Sequence, residues 1–292
     1  MLLTIGLPIF NNRSTVLEAV RSVFAQTFQD WELLLVDDGS TDGSVELLRK
    51  IRDPRVRLFV DGTHRGLVAR LNQIAREARG DFVARMDADD LMDPERCRWQ
   101  MEQLLGTPGV DVSSTGVLAI DGEARPIGVR ALEPLDVSPR TILTRGSIIH
   151  ASVIARRDWM LAHPYDRRFP RAEDRELWIR TCGSSRFAKV CRPLYFVREI
   201  DRFVRDKFLA SYHTERRILK KYGPSTLGRF GTAALLARSY LKSGVVVLLD
   251  KLGWASSLMT RHQTLLTEPE RKAFERIIET IRHTPIPGVD HE

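Results

Sequence analysis

Cysteine is scarce in this chain. Cys97, Cys182 and Cys191 are odd in number, scattered, and fit neither a CxxC nor a zinc-ligand spacing. That excludes a disulfide framework and a cysteine-built metal site, and it predicts reduced thiols in a cytosolic compartment. Long apolar runs are missing too. The longest near the C-terminus, Gly244-Val245-Val246-Val247-Leu248-Leu249, falls far short of the roughly 20 residues of a spanning helix. The first eight residues lack the basic start and apolar length of a secretory leader. No repeat or low-complexity tract is visible. Residues 7–12, after the first apolar run, contain no glycine. A nucleotidyltransferase on a comparable sheet would be expected to carry a glycine-rich phosphate loop there, so that class is disfavoured.

What is present is unevenly distributed. The 292 residues suit one large domain, or one domain with an appendage. Residues 1–201 hold 29 Lys and Arg against 29 Asp and Glu, and residues 202–292 hold 16 against 9. The whole formal charge of +7 therefore lies in the last third. This asymmetry predicts a catalytic domain over 1–201 and a basic helical region over 202–292.

Along the first half, apolar runs at 2–7, 31–36, 56–60 and 82–86 read as strands. Helical spacing follows Ser14 and recurs at 44–51 and 66–78. The strand at 31–36 (WELLLV) is apolar through its end, as in a parallel sheet covered on both faces. The alternation predicts an α/β fold with an open sheet flanked by helices, whose ligands sit at the C-terminal ends of the strands. Three polar clusters lie there: 8–12, 37–40 and 87–90. Further on, 112–120, 148–155 and 194–197 read as strands, 122–140 as loop, and 172–180 as a helix. Beyond 202 the spacing is helical throughout, and Thr267-Glu268-Pro269-Glu270 is a capping-box signature.

The most informative feature is Asp87-Ala88-Asp89-Asp90, which follows the fourth strand. Three carboxylates at a strand end repel one another. A hard divalent cation would neutralise them while keeping open positions for phosphate oxygens. Alone, the run reads first as a solvated acidic turn. It does not stand alone. Leu7-Pro8-Ile9-Phe10-Asn11-Asn12, Ser22-Val23-Phe24-Ala25-Gln26-Thr27, Val36-Asp37-Asp38-Gly39-Ser40-Thr41-Asp42, Gly66-Leu67-Val68-Ala69-Arg70-Leu71-Asn72, Ala78-Arg79-Gly80-Asp81-Phe82, Met86-Asp87-Ala88-Asp89-Asp90 and Ala172-Glu173-Asp174 occur in that order. Together they resemble the inverting family 2 glycosyltransferases of the GT-A fold, of the bacterial surface-polysaccharide type, from the N-terminus to about residue 200.

The resemblance implies a GT-A, Rossmann-like mixed sheet with a C-terminal helical appendage, and a metal-dependent transferase. Such an enzyme moves a sugar from a nucleotide-sugar, UDP-linked for preference, to a hydroxyl of a glycan or lipid-linked acceptor. It implies Mn²⁺ or Mg²⁺ on Asp89 and Asp87, with Asp87 alternatively on the ribose and Asp90 capping the following turn. Asp38 would accept the N3–H of uracil, while Pro8, the Ile9 backbone and Asn11 would line the base pocket. Arg65 and Arg70 would contact ribose or phosphate, or form a solvated face. Asp174 would be the general base and Glu173 would orient Asp174 or the acceptor. His150 would touch the diphosphate or acceptor, or be structural; Trp178 would floor the acceptor sugar, or belong to the core. The basic tail predicts contact with an anionic membrane at the inner face of the cell membrane, or with a second copy of the chain. Nucleic acid is not an expected partner, because no recognised module or stacking platform accompanies the charge. The competing non-catalytic reading is a degenerate transferase serving as a scaffold, against which the intact Asp38, Asp89 and Asp174 argue.

Overall fold

Strands buried on both faces need helices on both sides, and the first half of the chain supplies them in alternation. The computed structural model describes residues 1–146, 148–199, 205–254 and 263–290. Its strands are β1 (Leu3–Ile9), β2 (Trp31–Asp37), β3 (Val56–Phe59), β4 (Phe82–Arg85), β5 (Leu91–Met92), β6 (Val112–Ile120), β7 (Pro126–Arg130), β8 (Ile154–Arg156), β9 (Phe187–Arg198) and β10 (Thr264–Leu265). Its helices are α1 (Val16–Phe24), α2 (Ser44–Leu48), α3 (Leu67–Glu77), α4 (Arg96–Gly106), α5 (Pro139–Thr144), α6 (Arg157–Ala162), α7 (Glu173–Thr181), α8 (Arg205–Lys251) and α9 (Glu268–Arg282).

One sheet runs in the order β10-β7-β6-β8-β4-β1-β2-β3. Strands β4, β1, β2 and β3 are parallel, with Leu3 opposite both Trp31 and Phe82. β8, β6, β7 and β10 extend the sheet by antiparallel pairing, and β9 runs parallel to β6 and reaches β5. Leu3, Ile5, Val20, Trp31 and Phe82 form the core on one face, while Leu34, Ile74, Val83, Trp159 and Trp178 form it on the other. A parallel half joined to an antiparallel half places the ends of β1, β2 and β4 in one cleft and frames that cleft with the second half of the chain. This is the GT-A arrangement that the resemblance implied.

Several elements differ from the sequence expectation. The segment expected as loop contains β7 and the start of α5. Pro126 opens β7 ahead of Gly128 and Val129, where β10 pairs, so its missing N–H is tolerated. The strand expected over 148–155 is shorter, because His150–Ser152 is a 3₁₀ turn. β9 is far longer than residues 194–197. Its first half carries Lys189 and Arg192 and is partly exposed, which hid it from an apolar-run search.

Among the described residues of the last third, α8 and α9 are the helices and the two-residue β10 lies between them in sequence, which corrects the expectation of helix throughout; the expected boundary at 201/202 lies outside the described residues. α8 is two helices meeting at Gly228, whose φ of 72° is left-handed. By length and composition α8 is apolar enough to cross a membrane. No single run showed this, because Arg238 and Lys242 interrupt the apolar stretch. α9 returns to the core. Ile278 and Ile281 pack with Leu118 and Phe196, Arg21 Nη1 donates to Asp290 Oδ2 at 2.6 Å, and Arg282 meets Glu18 at 3.1 Å.

The turn into β4 shows how closely these elements approach. Thr4 Oγ1 donates to Glu32 at 2.6 Å, the Arg79 amide donates to the same carboxylate at 2.7 Å, and the Gly80 amide donates to Thr4 Oγ1 at 2.9 Å. A Cβ on Gly80 would lie 2.6 Å from the Leu2 carbonyl oxygen and 2.7 Å from the Thr4 nitrogen. Both are backbone atoms that cannot yield. Gly80→Ala should therefore destabilise the chain by about 2–3 kcal/mol in urea unfolding. Gly106→Ala, with nothing within 4 Å, should leave the midpoint unchanged or raise it.

Candidate active site

The cleft at the strand ends is a cavity of about 690 Å³. Its first wall grows from β1. Pro8, Ile9, Phe10 and Asn12 line it, but Asn11 does not. Asn11 takes a left-handed backbone (φ 56°), accepts the Thr41 amide at 2.9 Å through its side chain, and donates its own amide to Ser40 Oγ at 3.0 Å. It pins the 37–42 turn against β1 instead of facing a ligand, which corrects the expectation for this residue.

Asp38 follows β2 with its side chain 6% exposed, and its carboxylate is held by three donors of the protein. It accepts the Arg65 amide at 2.7 Å, the Gly66 amide at 3.0 Å and Arg70 Nε at 2.9 Å, while His64 Nδ1 lies 2.9 Å from Oδ2 and hydrogen-bonds to the Asp38 backbone carbonyl at 3.1 Å. A carboxylate has about four acceptor positions. Of the groups around this carboxylate His64 has the most exposed side chain, at 60%, and it packs on the Phe10 ring at 4.4 Å. Arg70 is 1% exposed. Its remaining N–H groups go to Asp61, Gln73 and the Thr63 carbonyl, leaving none for ribose or phosphate. It is an internal brace, and of the two expected arginines only Arg65 presents an accessible guanidinium at the cleft, paired with Asp61 at 2.9 Å.

The second wall grows from β4. Ligand oxygens of Asp87, Asp89 and Asp90 lie within 4.8 Å of one another. Asp87 and Asp89 line the cavity. Asp90 is buried and accepts the Arg198 amide at 2.8 Å, tying the acidic turn to β9. Burial first, and the charge of Asp87 second, raise the pKa of Asp89, and the same causes raise Asp90 well above the usual range. Arg85 stands behind them, buried, with Nη2 2.8 Å from Asp87 Oδ1 and its Nε without a hydrogen-bond partner. Burial opposes the charge of Arg85, yet Asp87 and the more distant Tyr195, Tyr165 and Glu173 hold its pKa above the ordinary value. The signal for Arg85 was available in the sequence: a charged residue ending an otherwise apolar strand, two positions before the acidic run.

The third wall is the start of α7, where Glu173, Asp174 and Glu176 place three acids in the first turn, favoured by the helix dipole. Glu173 faces the large cavity. Asp174 and Trp178 line a neighbouring cavity of about 320 Å³, and the two cavities share Arg171 and Ser211. Glu173 is 5% exposed, and burial, then repulsion from Asp174, pushes its carboxyl up to about 7. His150 lines neither cavity. It sits behind Glu173, 3.8 Å from Oε1, with Nε2 2.9 Å from the Tyr165 hydroxyl, and burial followed by the charge of Arg85 lowers its pKa well below the usual imidazole value. Trp178 is buried against Trp159, Phe187 and His150. Arg167 and Lys207 complete the rim of the large cavity. They lie in loop and tail, where sequence spacing carried no signal.

Glycosyl transferase family 2 is the family that matches the sequence, over residues 4–154. EpsE of Bacillus subtilis (strain 168) is 32% identical over 221 residues, covering 72% of this chain and 77% of that protein. The Escherichia coli UDP-Glc:alpha-D-GlcNAc-diphosphoundecaprenol beta-1,3-glucosyltransferase WfgD is 26% identical over 179 residues, covering 61% of this chain and 68% of that protein. Among solved structures, S. aureus TarS 1-349 in complex with UDP-GlcNAc aligns with a TM-score of 0.63 at 17% identity, over 98% of this chain and 82% of that one. The mannosyltransferase PcManGT from Pyrobaculum calidifontis in complex with GDP-Man and Mn²⁺ aligns at 0.59 and 15%, over 96% and 85%. These structural likenesses establish a shared fold.

The raised Glu173 pKa has a measurable consequence. A carboxyl that holds its proton more tightly folded than unfolded stabilises the chain most at low pH. That contribution declines as pH rises from the ordinary 4.5 to about 7. In metal-free buffer, Glu173→Gln should thus gain stability relative to wild type between about pH 5 and about pH 8, by at most about 3 kcal/mol, read from urea midpoints.

Proposed function

The chain belongs to glycosyl transferase family 2, and on that premise we propose that it transfers a sugar, with inversion, from a UDP-sugar to a hydroxyl of a glycan or lipid-linked acceptor in cell-surface polysaccharide synthesis. One observation carries the reading: the carboxylates of Asp87 and Asp89 open into the large cavity, across which Glu173 and Asp174 stand at its junction with a second one. The names of the matched proteins support the donor class, since one structure holds UDP-GlcNAc, another GDP-Man with Mn²⁺, and WfgD is named for a UDP-Glc donor.

The donor set fits a hard cation: carboxylate oxygens, mutually repelling, close enough to converge on one ion. Asp89 and Asp87 would hold Mn²⁺ or Mg²⁺, which when bound stabilises negative charge on the leaving diphosphate. The base would lie between the Pro8–Phe10 segment and Arg65, reaching Asp38. Uracil N3–H is a donor, which suits a carboxylate acceptor. Arg85 fixes Asp87 from behind, and Asp90 fixes the turn through β9, so neither ligand has to be ordered when substrate arrives.

Asp174 faces the neighbouring cavity, the side from which an acceptor hydroxyl would approach, and acts there as general base. The acceptor oxygen forms its bond to the anomeric carbon as the bond from that carbon to the diphosphate breaks, and the hydroxyl proton passes to Asp174. Attack from the face opposite the leaving group inverts the centre. Glu173, on the donor side, orients Asp174 and the reacting sugar. The basic C-terminal region would hold the enzyme at an anionic membrane surface.

Asp174→Asn keeps the shape and removes the base. It should lower kcat by about a factor of 10³ while leaving UDP affinity within a factor of about 2, measured by UDP release and by calorimetry. Unchanged turnover in this variant would remove Asp174 from the mechanism.

A further inference from the structure

The acidic turn that follows β4 does little to hold its own shape. The hydrogen bond that closes it, from the Asp90 amide to the Asp87 carbonyl, is 3.4 Å long. Its three carboxylates repel one another, with ligand oxygens within 4.8 Å. The end of β9 holds the turn instead, and grips it at three points. The Asp87 amide donates to the Tyr195 hydroxyl at 3.0 Å, the Arg198 amide donates to Asp90 Oδ1 at 2.8 Å, and Arg198 Nε donates to the Asp89 carbonyl at 2.8 Å.

The Arg198 side chain is 3% exposed, and its guanidinium spans three segments of the chain. Besides the Asp89 carbonyl, it reaches the Gly122 carbonyl with Nη1 at 2.7 Å and Glu18 Oε2 with Nη2 at 2.6 Å. All three acceptors are remote in sequence, so no local structure orients this arginine. Glu18, on α1, is shared between two cations. Its other oxygen, Oε1, accepts Arg282 Nε at 3.1 Å. Arg282 is the last residue of α9, and its Nη2 donates to the Glu123 carbonyl, next to Gly122. α9 is itself anchored at this end. Ile281 and, just beyond the helix, Ile286 are fully buried in the core, and Asp290 pairs with Arg21 of α1. A continuous chain of charge-assisted hydrogen bonds therefore runs from α9 through Glu18 and Arg198 to the backbone of Asp89.

We infer that Arg198 is a positioning residue for metal binding, and that the C-terminal helix α9 holds it to that task through Arg282 and Glu18. This rests on the proposed metal role of Asp87 and Asp89 and goes beyond it, because it makes the last helix of the chain a working part of the donor site. Arg198 acts on the backbone of the ligand. Its ion-pair partner is Glu18, so it stiffens the turn while the Asp89 carboxylate stays open to the cavity. Ligand oxygens already converged cost little to order when the cation arrives. With the chain broken the turn loosens, and the cation must gather carboxylates that repel.

The test is calorimetric titration of UDP into the full chain at a series of Mn²⁺ concentrations. It yields the UDP affinity at saturating Mn²⁺ and the Mn²⁺ concentration that gives half of it. Arg198→Lys keeps the charge but cannot span the three acceptors, and should raise that concentration about 10-fold. Arg282→Gln, at a side chain 40% exposed, spares the fold and should raise it about 3-fold. It carries the test alone where Arg198→Lys fails to fold. UDP affinity at saturating Mn²⁺ should stay within a factor of about 2 in both variants. In the Arg198→Lys background Arg282→Gln should add nothing, because both act through one chain. Lys272→Gln, on α9 but paired with Glu268 at 3.5 Å, should shift nothing. A purely structural role would lower the fraction of chain that binds and leave the Mn²⁺ requirement where it was. An unmoved requirement in Arg282→Gln, or independent effects in the double variant, overturns the inference. If the wild-type chain needs Mn²⁺ and the variants match it, this inference falls and the metal reading stands. If the wild-type chain binds UDP without Mn²⁺, or not at all, the metal reading falls and this inference with it.

Discussion

Three carboxylates gathered at the end of β4 within 4.8 Å of one another cannot all remain ionised without a counter-charge, and the rest of the cleft is organised by that constraint. The protein meets part of it internally. Arg85 pairs with Asp87, and Asp90 is buried and drawn toward its neutral form, where it serves to hold β9. What is left over is the exposed side of Asp87 and Asp89, facing a cavity of nucleotide-sugar size. An internal cation sufficient for all three groups would have closed the site. One that is insufficient leaves it able to take a divalent ion and a diphosphate.

The Asp38 side of the cleft is braced for a related reason. Asp38, Arg70 and Asp61 form a chain of charge-assisted hydrogen bonds that fixes the 61–66 loop against the ends of β1 and β2. Arg70 is buried and uses every donor it has, so the loop keeps one shape. The exposed member is His64, beside the Asp38 carboxylate and tilted against the Phe10 ring. On the far side of the cleft the same logic separates Glu173 from Asp174. Adjacent in sequence at a helix start, they face different cavities, and burial makes one hold its proton to about 7.

Much of this was legible in the sequence because the parallel half consists of strands buried on both faces. Apolar runs such as Trp31–Asp37 declare themselves, and the polar clusters after β1, β2 and β4 had to meet at one sheet edge. Legibility fell where partners are remote or exposure is mixed. β9 begins partly exposed and crosses Lys189, Arg192 and Pro193, so its pairing with β6 left no periodic trace. Arg70 resembled a ligand contact, since nothing local says that Asp61 and Asp38 consume it. Asn11 resembled one too, although its left-handed backbone turns it toward Thr41. His150 proved to stand behind Glu173, a position set by the 3₁₀ turn that interrupts the expected strand. The apolar stretch of α8 was hidden by Arg238 and Lys242, which interrupt it in the linear sequence.

The central claim is that the Asp87 and Asp89 carboxylates bind a nucleoside diphosphate through a divalent cation. Calorimetric titration of UDP, GDP, dTDP and CDP into the chain, each in Mn²⁺ and again in EDTA, tests it most directly. The account predicts that UDP binds, more tightly than the other three, and only with the metal present. UDP binding of equal strength in EDTA, or no binding of any of the four, would contradict it.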